Sequence, residues 1–153
     1  MITFVTGSIF DSQADCLVNP VNTVGVMGAG LALQFKLSFP LNFSKYKAAC
    51  DVGDLRTGSV FLTRDQTKTG HPVYIANFPT KRHCKDSSKL EWIEEGLSHL
   101  HEILTIHHIQ KVAIPRLSSS LGALLWENVL PLIVKEFESD KNKTAYVYTG
   151  GLK

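Results

Sequence analysis

A short apolar run that empties into a glycine loop and then a helix constrains this chain most. Residues 15–19 read Asp-Cys-Leu-Val-Asn, the composition of a buried strand. Gly25, Gly28 and Gly30 follow, and residues 31–38 read as a helix closed by Pro40. Glycine lets backbone approach a phosphate closely, and amides at a helix start carry partial positive charge. The build suits an anion, and a pyrophosphate-containing nucleotide is the natural ligand class. The spacing is neither G-x-x-x-x-G-K-[ST] nor a clean G-x-G-x-x-G, which argues against a P-loop and a Rossmann dinucleotide site. A tight turn whose glycines serve only backbone geometry would look similar. Asn22 tips the balance toward a ligand, as a polar side chain inside the apolar stretch 21–26.

At 153 residues the chain suits a single domain spanning 1–153. A chain of that size buries roughly 70% of its unfolded surface. No apolar stretch approaches the roughly 20 residues that span a bilayer, so no membrane partner is expected. The first residues show no basic segment or long apolar core of a signal peptide. A net charge of +2 permits an anionic ligand without requiring nucleic acid. Cys16, Cys50 and Cys84 are odd in number and form no C-x-x-C, which argues against a disulfide framework or thiolate zinc site. The expected setting is a reducing cytoplasm, with no cofactor and no metal.

Strand-like runs also occur at 2–5, 58–63, 73–78, 111–115 and 145–148, the run at 73–78 being expected to stop at Pro79. Helical patterns fall at about 29–39, 43–50, 88–104 and 124–138. The third places Leu90, Ile93, Leu97, Leu100 and Leu104 on one stripe, behind a capping-box spacing from Ser88 to Glu91. In the last, Val129, Ile133 and Phe137 read as inward, and Pro131 is expected in the first turn or at a kink. The alternation predicts an α/β sandwich on a mostly parallel or mixed sheet. If the strands at 15–19, 73–78 and 111–115 run parallel, loops 20–30, 79–86 and 116–123 crowd one rim. Open α/β sheets bind ligands at that rim.

Loop 116–123 carries Ser118, Ser119, Ser120, Leu121 and Gly122, whose amides and hydroxyls suit a second phosphate or a ribose, or simply solvent. Lys81 follows a strand end and could serve as a nucleophile or a phosphate ligand. Nucleophilic work requires the amine to shed a proton, which burial or neighbouring cations such as Arg82 and Lys85 favour. A solvated basic loop is the plainer alternative. Lys81, Arg82, His83 and Lys85 would also suit a phosphate backbone. His99, His101, His107 and His108 read as helix-surface or helix-end residues. Glu94, Glu95, Glu102, Glu136 and Glu138 read as solvated charge. Asp11 and Asp15 could meet a polar ligand, although Asp15 could equally be a turn residue. Trp92 and Trp126 read as core or edge packing.

The runs "CLVNPVNTVGVMGAGLALQFKLSFP" (16–40), "NFPTKRH" (77–83) and "AIPRLSSSLGALLWENVLPLI" (113–133), with "TGSIF" and "YVYTG" near the ends, resemble macrodomains. The likeness covers essentially the whole chain. It is strongest to the terminal ADP-ribose glycohydrolase-like branch, which includes antitoxins that remove ADP-ribose from DNA bases. The resemblance implies a three-layer α/β/α fold with a mixed central sheet. It implies that Asn22 contacts the distal ribose and that Gly28, Ala29, Gly30 and Leu31 cradle a phosphate. Ser118, Ser119, Ser120, Leu121 and Gly122 would form the second loop, and Lys81 would attack or polarise the anomeric carbon. Ser8, Ile9, Asn19, Val26, Met27 and Thr80 complete the implied ADP-ribose contacts.

Ser8 stands where the family usually carries the Asp that binds adenine. Serines 118–120 stand in a loop that is usually glycine-rich. Gly122 replaces a catalytic Asp found elsewhere in the branch, which favours the DNA-directed subgroup. The expected activity is glycosidic-bond hydrolysis on ADP-ribosylated, single-stranded DNA, with a DarT-like toxin as counterpart and a monomeric state. Hydrolysis of protein-linked ADP-ribosyl esters or O-acetyl-ADP-ribose, or ADP-ribose reading without catalysis, are the alternatives.

Overall fold

The computed structural model describes residues 1–83, 86–117 and 124–149. Among these, β1 (Ile2–Val5), β2 (Cys16–Asn22), β3 (Phe61–Gln66), β4 (Pro72–Lys81), β5 (Lys111–Ile114) and β6 (Thr144–Tyr148) form one sheet. Its order is β1-β6-β5-β2-β4-β3. Every neighbouring pair is parallel except the β3–β4 hairpin. Helices α1 (Gly30–Ser38) and α2 (Pro40–Asp51) pack on one face, and α3 (Leu90–Ile106) and α4 (Trp126–Phe137) on the other. This is the three-layer α/β/α arrangement on a mixed sheet that the sequence predicts.

Strand alternation divides the core. Cys16 and Val18 of β2 join the α3–α4 side, whereas Leu17 joins the α1 side. Val112 and Ile114 of β5 part from Ala113 in the same way. From α3, Ile93, Leu97, Leu100 and Leu104 are buried, each worth roughly 1.5–3 kcal/mol. Leu90, the first residue of the predicted stripe, stays partly exposed at the helix start. The capping box does not form: Lys89 is the N-cap and Ser88 lies before it. The close approach of α3 to β4 depends on Gly96, where a Cβ would fall 2.4 Å from the Phe78 ring.

Several boundaries differ from expectation. β2 runs through Pro20 to Asn22, and β4 runs through Pro79 to Lys81. Pairing of β2 with β5 ends at Leu17, and pairing of β4 with β3 ends at Asn77. Both prolines therefore lie where their strand has an open side, so a missing N–H can be turned away from the ladder. β3 starts later than predicted and takes in Arg64, Asp65 and Gln66, because these pair with Tyr74, Val73 and Pro72. Pro131 sits inside α4 beyond its first turn, on the exposed side, where water can satisfy the carbonyl that it frees.

His101 and Glu136 are not simply solvated. His101 Nδ1 lies 2.8 Å from Glu136 Oε2, and its Nε2 lies 2.7 Å from Asp140 Oδ2. The pair ties α3 to the end of α4. His99 Nδ1 accepts from the Val60 amide at 2.8 Å, so this histidine also links elements.

Candidate functional site

β5, β2 and β4 are adjacent and parallel, so their carboxyl ends share one rim. β1 and β6 run the same way, which brings Ser8 and Ile9 to that rim as well. In the β2–β4 ladder Val21 pairs with Pro79, but Asn22 pairs with Lys81. The skip leaves Thr80 unpaired and sets Lys81 opposite Asn22. A bulge of this kind re-aims a side chain at a strand end. Thr23 Oγ1 then donates to the Arg82 carbonyl at 2.9 Å, fastening the glycine loop to the end of the lysine strand. Lys81 is half-buried, and among the described residues its amine has no ion pair.

Asn22 shapes the loop that follows it. Its Nδ2 donates to the Val26 carbonyl at 2.8 Å, and its Oδ1 accepts from the amides of Val24 (3.1 Å) and Val26 (3.3 Å). The buried Tyr46 hydroxyl reaches the same Oδ1 at 2.8 Å and the Asn22 carbonyl at 2.9 Å. Burial, reinforced by the neighbouring Cys50, pushes the Tyr46 hydroxyl pKa well above its usual value, so this group remains a donor. Gly30 opens α1 at φ +57°, a conformation that a side chain would strain. Ala29 is the N-cap of α1 and offers no side-chain cap, which leaves the first helical amides available to an anion.

Beneath the loop lies a floor of three asparagines, of which the sequence reading names Asn19 and misses Asn42 and Asn77. Asn19 is buried, and its Nδ2 donates to Asn77 Oδ1 at 3.3 Å. Asn42 Nδ2 donates to the same oxygen at 3.1 Å, and Asn77 Nδ2 donates to Asn42 Oδ1 at 2.8 Å. Thr63 donates to Asn42 Oδ1, and Asp65 accepts from the Asn42 amide at the start of α2. A polar Asn77 inside the apolar run 73–78 was the available signal, of the same kind that singled out Asn22.

The structure brings together much of the predicted set. Val26, Gly28, Ala29 and Gly30 are exposed along the loop, and Leu31 is half-buried. Ser8 is exposed, and its Oγ accepts from the Phe10 amide at 3.2 Å, capping a short 3₁₀ turn that contains the buried Ile9. Asn19, Met27 and Thr80 are buried, with Asn19 and Met27 packed under the loop. Ser118, Ser119, Ser120, Leu121 and Gly122 lie outside the described residues, as does Lys85. Asp15 is at the amino end of β2, where its backbone pairs with Lys111 and Tyr74, so it is a structural residue away from the rim. A cavity of about 900 Å³ lies near that opposite end, lined by Phe10, Asp15, Leu37, Thr67 and His71 among others. Of the candidates read from the sequence, Asp11 and Asp15 line it, and none of the implied ADP-ribose contacts does. The rim is the better candidate, since it gathers the loop amides, Asn22 and Lys81 at the carboxyl ends of the strands.

The chain matches the Macro domain family over residues 18–133. It is 39% identical over 148 residues to a Thermus aquaticus protein named DNA ADP-ribosyl glycohydrolase, covering 97% of this chain and 41% of that protein. The Mycobacterium tuberculosis protein of the same name is also 39% identical, with 97% and 42% covered. The chain thus spans about two fifths of the length of these curated relatives. The solved macrodomain of Thermus aquaticus DarG superposes with a TM-score of 0.89 at 39% identity, covering 97% of both chains. Thermosipho africanus DarTG in complex with ADP-ribose gives a TM-score of 0.87 at 32% identity, covering 96% of this chain and 41% of that one. With its fold, its rim and most of its length accounted for in this way, the chain belongs to the macrodomain family.

Proposed function

We propose that this domain binds ADP-ribose along the rim and hydrolyses the bond joining it to DNA bases, opposing a DarT-like toxin. The observation that carries the reading is the register that sets Lys81 opposite Asn22 beside a pre-shaped glycine loop. The names of the relatives at 39% identity support the same substrate. So does the complex of Thermosipho africanus DarTG with ADP-ribose.

In this reading the amides of residues 28–31 take the phosphate nearest the distal ribose, helped by the start of α1. Asn22 keeps the loop in shape and holds its edge against that ribose. The Lys81 amine attacks the anomeric carbon through its nitrogen lone pair, forming a C–N bond as the bond to the base nitrogen breaks. The base nitrogen takes up the proton that the alkylated lysine sheds. Water then displaces the lysine and leaves free ADP-ribose and the unmodified base. A loop held by its own hydrogen bonds arrives already ordered, so ligand affinity is not spent on arranging it.

The test is release of ADP-ribose from an ADP-ribosylated single-stranded oligonucleotide, run beside a carboxylate-linked ADP-ribosyl protein. Turnover of the oligonucleotide that disappears in Lys81→Ala is expected. Turnover of the protein-linked substrate alone would redirect the function, and full activity in Lys81→Ala would remove the assigned role.

A further inference from the structure

Arg82 and Lys89 converge on one indole. The Arg82 guanidinium carbon lies 5.1 Å from the centre of the Trp92 ring, and the Lys89 ammonium lies 5.2 Å from the same centre. Trp92 is only 9% exposed, so its ring is a fixed platform. Among the described residues neither cation has a carboxylate partner, and exposed Asp86 and Glu91 bond neither of them. Cation–π contact contributes roughly 0.5–1 kcal/mol at exposed sites and leaves the charge in place. Two like charges held on one ring repel, and an anion beside them relieves that repulsion. Stacking uses the face of the guanidinium and leaves its in-plane N–H groups as donors.

The arrangement is echoed across the rim. Arg116, just after β5, has its guanidinium carbon 5.3 Å from the centre of the Trp126 ring at the start of α4. β4 and β5 flank β2, so stacked arginines stand on either side of the strand that bears Asn22. Leu90 and Leu125, 37% and 61% exposed, lie at the same two helix starts. Repeated phosphates with apolar faces between them are what a single strand of DNA presents.

Building on the functional reading above, we propose that the Arg82–Lys89–Trp92 cluster and the Arg116–Trp126 pair hold the phosphodiester backbone of single-stranded DNA on either side of the modified nucleotide.

The test measures equilibrium binding of an unmodified single-stranded oligonucleotide to wild type, Arg82→Gln/Lys89→Gln and Arg116→Gln across a salt series, with ADP-ribose titrated as a control. Both variants are expected to weaken oligonucleotide binding, the double variant by about tenfold or more. ADP-ribose affinity should stay within about twofold. The plot of log affinity against log salt should flatten by about 0.7 for each phosphate no longer neutralised. Unchanged oligonucleotide affinity and an unchanged slope in both variants would overturn the proposal. Intact oligonucleotide binding without hydrolysis of the modified strand would count against the functional reading alone.

Discussion

Asn22 stands directly opposite Lys81 across two parallel strands because the ladder skips Thr80. The amide that shapes the glycine loop and the amine assigned to the chemistry therefore share one rigid register. Lys81→Ala is expected to reduce turnover by on the order of a hundredfold or more, because a positioned reactive group is lost. Among the described residues Lys81 has no ion pair, so affinity for ADP-ribose should change only a few-fold. Single-turnover kinetics with calorimetry on the same variant would separate the two. Parallel loss of affinity and rate would mean that Lys81 serves binding instead.

Tyr46→Phe should act through the loop. The variant removes a buried hydroxyl from both the Asn22 carbonyl and Oδ1, while Oδ1 keeps its two amide donors. Loss of about 1–2 kcal/mol of stability is expected, together with weaker ADP-ribose binding. Thermal melts and calorimetry on this variant provide the check. Unchanged affinity in a destabilised protein would confine Tyr46 to a structural role.

Much of this site can be read from the chain, and the unread parts have physical reasons. Asn22 stands out as a polar residue in an apolar run, Asn77 carries the same signal and goes unread, and parallel strands put their loops on one rim. The bulge at Thr80 cannot be read, because it is a relation between two strands, and Pro79 argues locally for an ending. Pro20 misleads in the same way, since the open side that tolerates it exists only once β5 has stopped pairing at Leu17. Asn42 looks like an ordinary helix-start residue until Thr63 and Asn77 close around it. His101 meets Glu136 and Asp140 only through helix packing, so its spacing to each carries no local signal.

Gly96→Ala should be among the costlier single-methyl additions. The new Cβ would sit 2.4 and 2.7 Å from atoms of the fully buried Phe78 ring. Overpacking of this kind costs about 1–3 kcal/mol or more, and pairing it with Phe78→Leu should recover part of the loss. Chemical denaturation of the two single variants and the double variant measures the coupling. Strict additivity would place the strain elsewhere.

Acid should loosen the seam between α3 and α4. The His101 hydrogen bond, followed by the Asn142 amide, holds the Asp140 carboxyl well below the usual carboxylate range. A depressed carboxylate stabilises the fold above its unfolded value of about 3.9 and loses that contribution as pH falls through the folded one. The melting temperature should therefore drop below about pH 4, and Asp140→Asn should flatten that drop while lowering stability at neutral pH. The Asp140 side chain is 19% exposed, so water still screens its pairing and the effect should be modest. Calorimetric melts of both proteins from neutral to strongly acidic pH would decide it, and superimposable pH profiles would exclude Asp140 as the source.

The asparagine floor under the glycine loop makes its support directional. Hydrocarbon packing accepts exchange among side chains of similar volume, as around Leu97. Asn42 and Asn77 each donate and accept on set sides, and Asn19 donates to Asn77, so a leucine of matching size at 42 or 77 would strand its neighbour's polar atoms. The carboxyl end of the sheet is thus keyed like a connector rather than cushioned, with far less freedom to vary than the greasy layer on the other side.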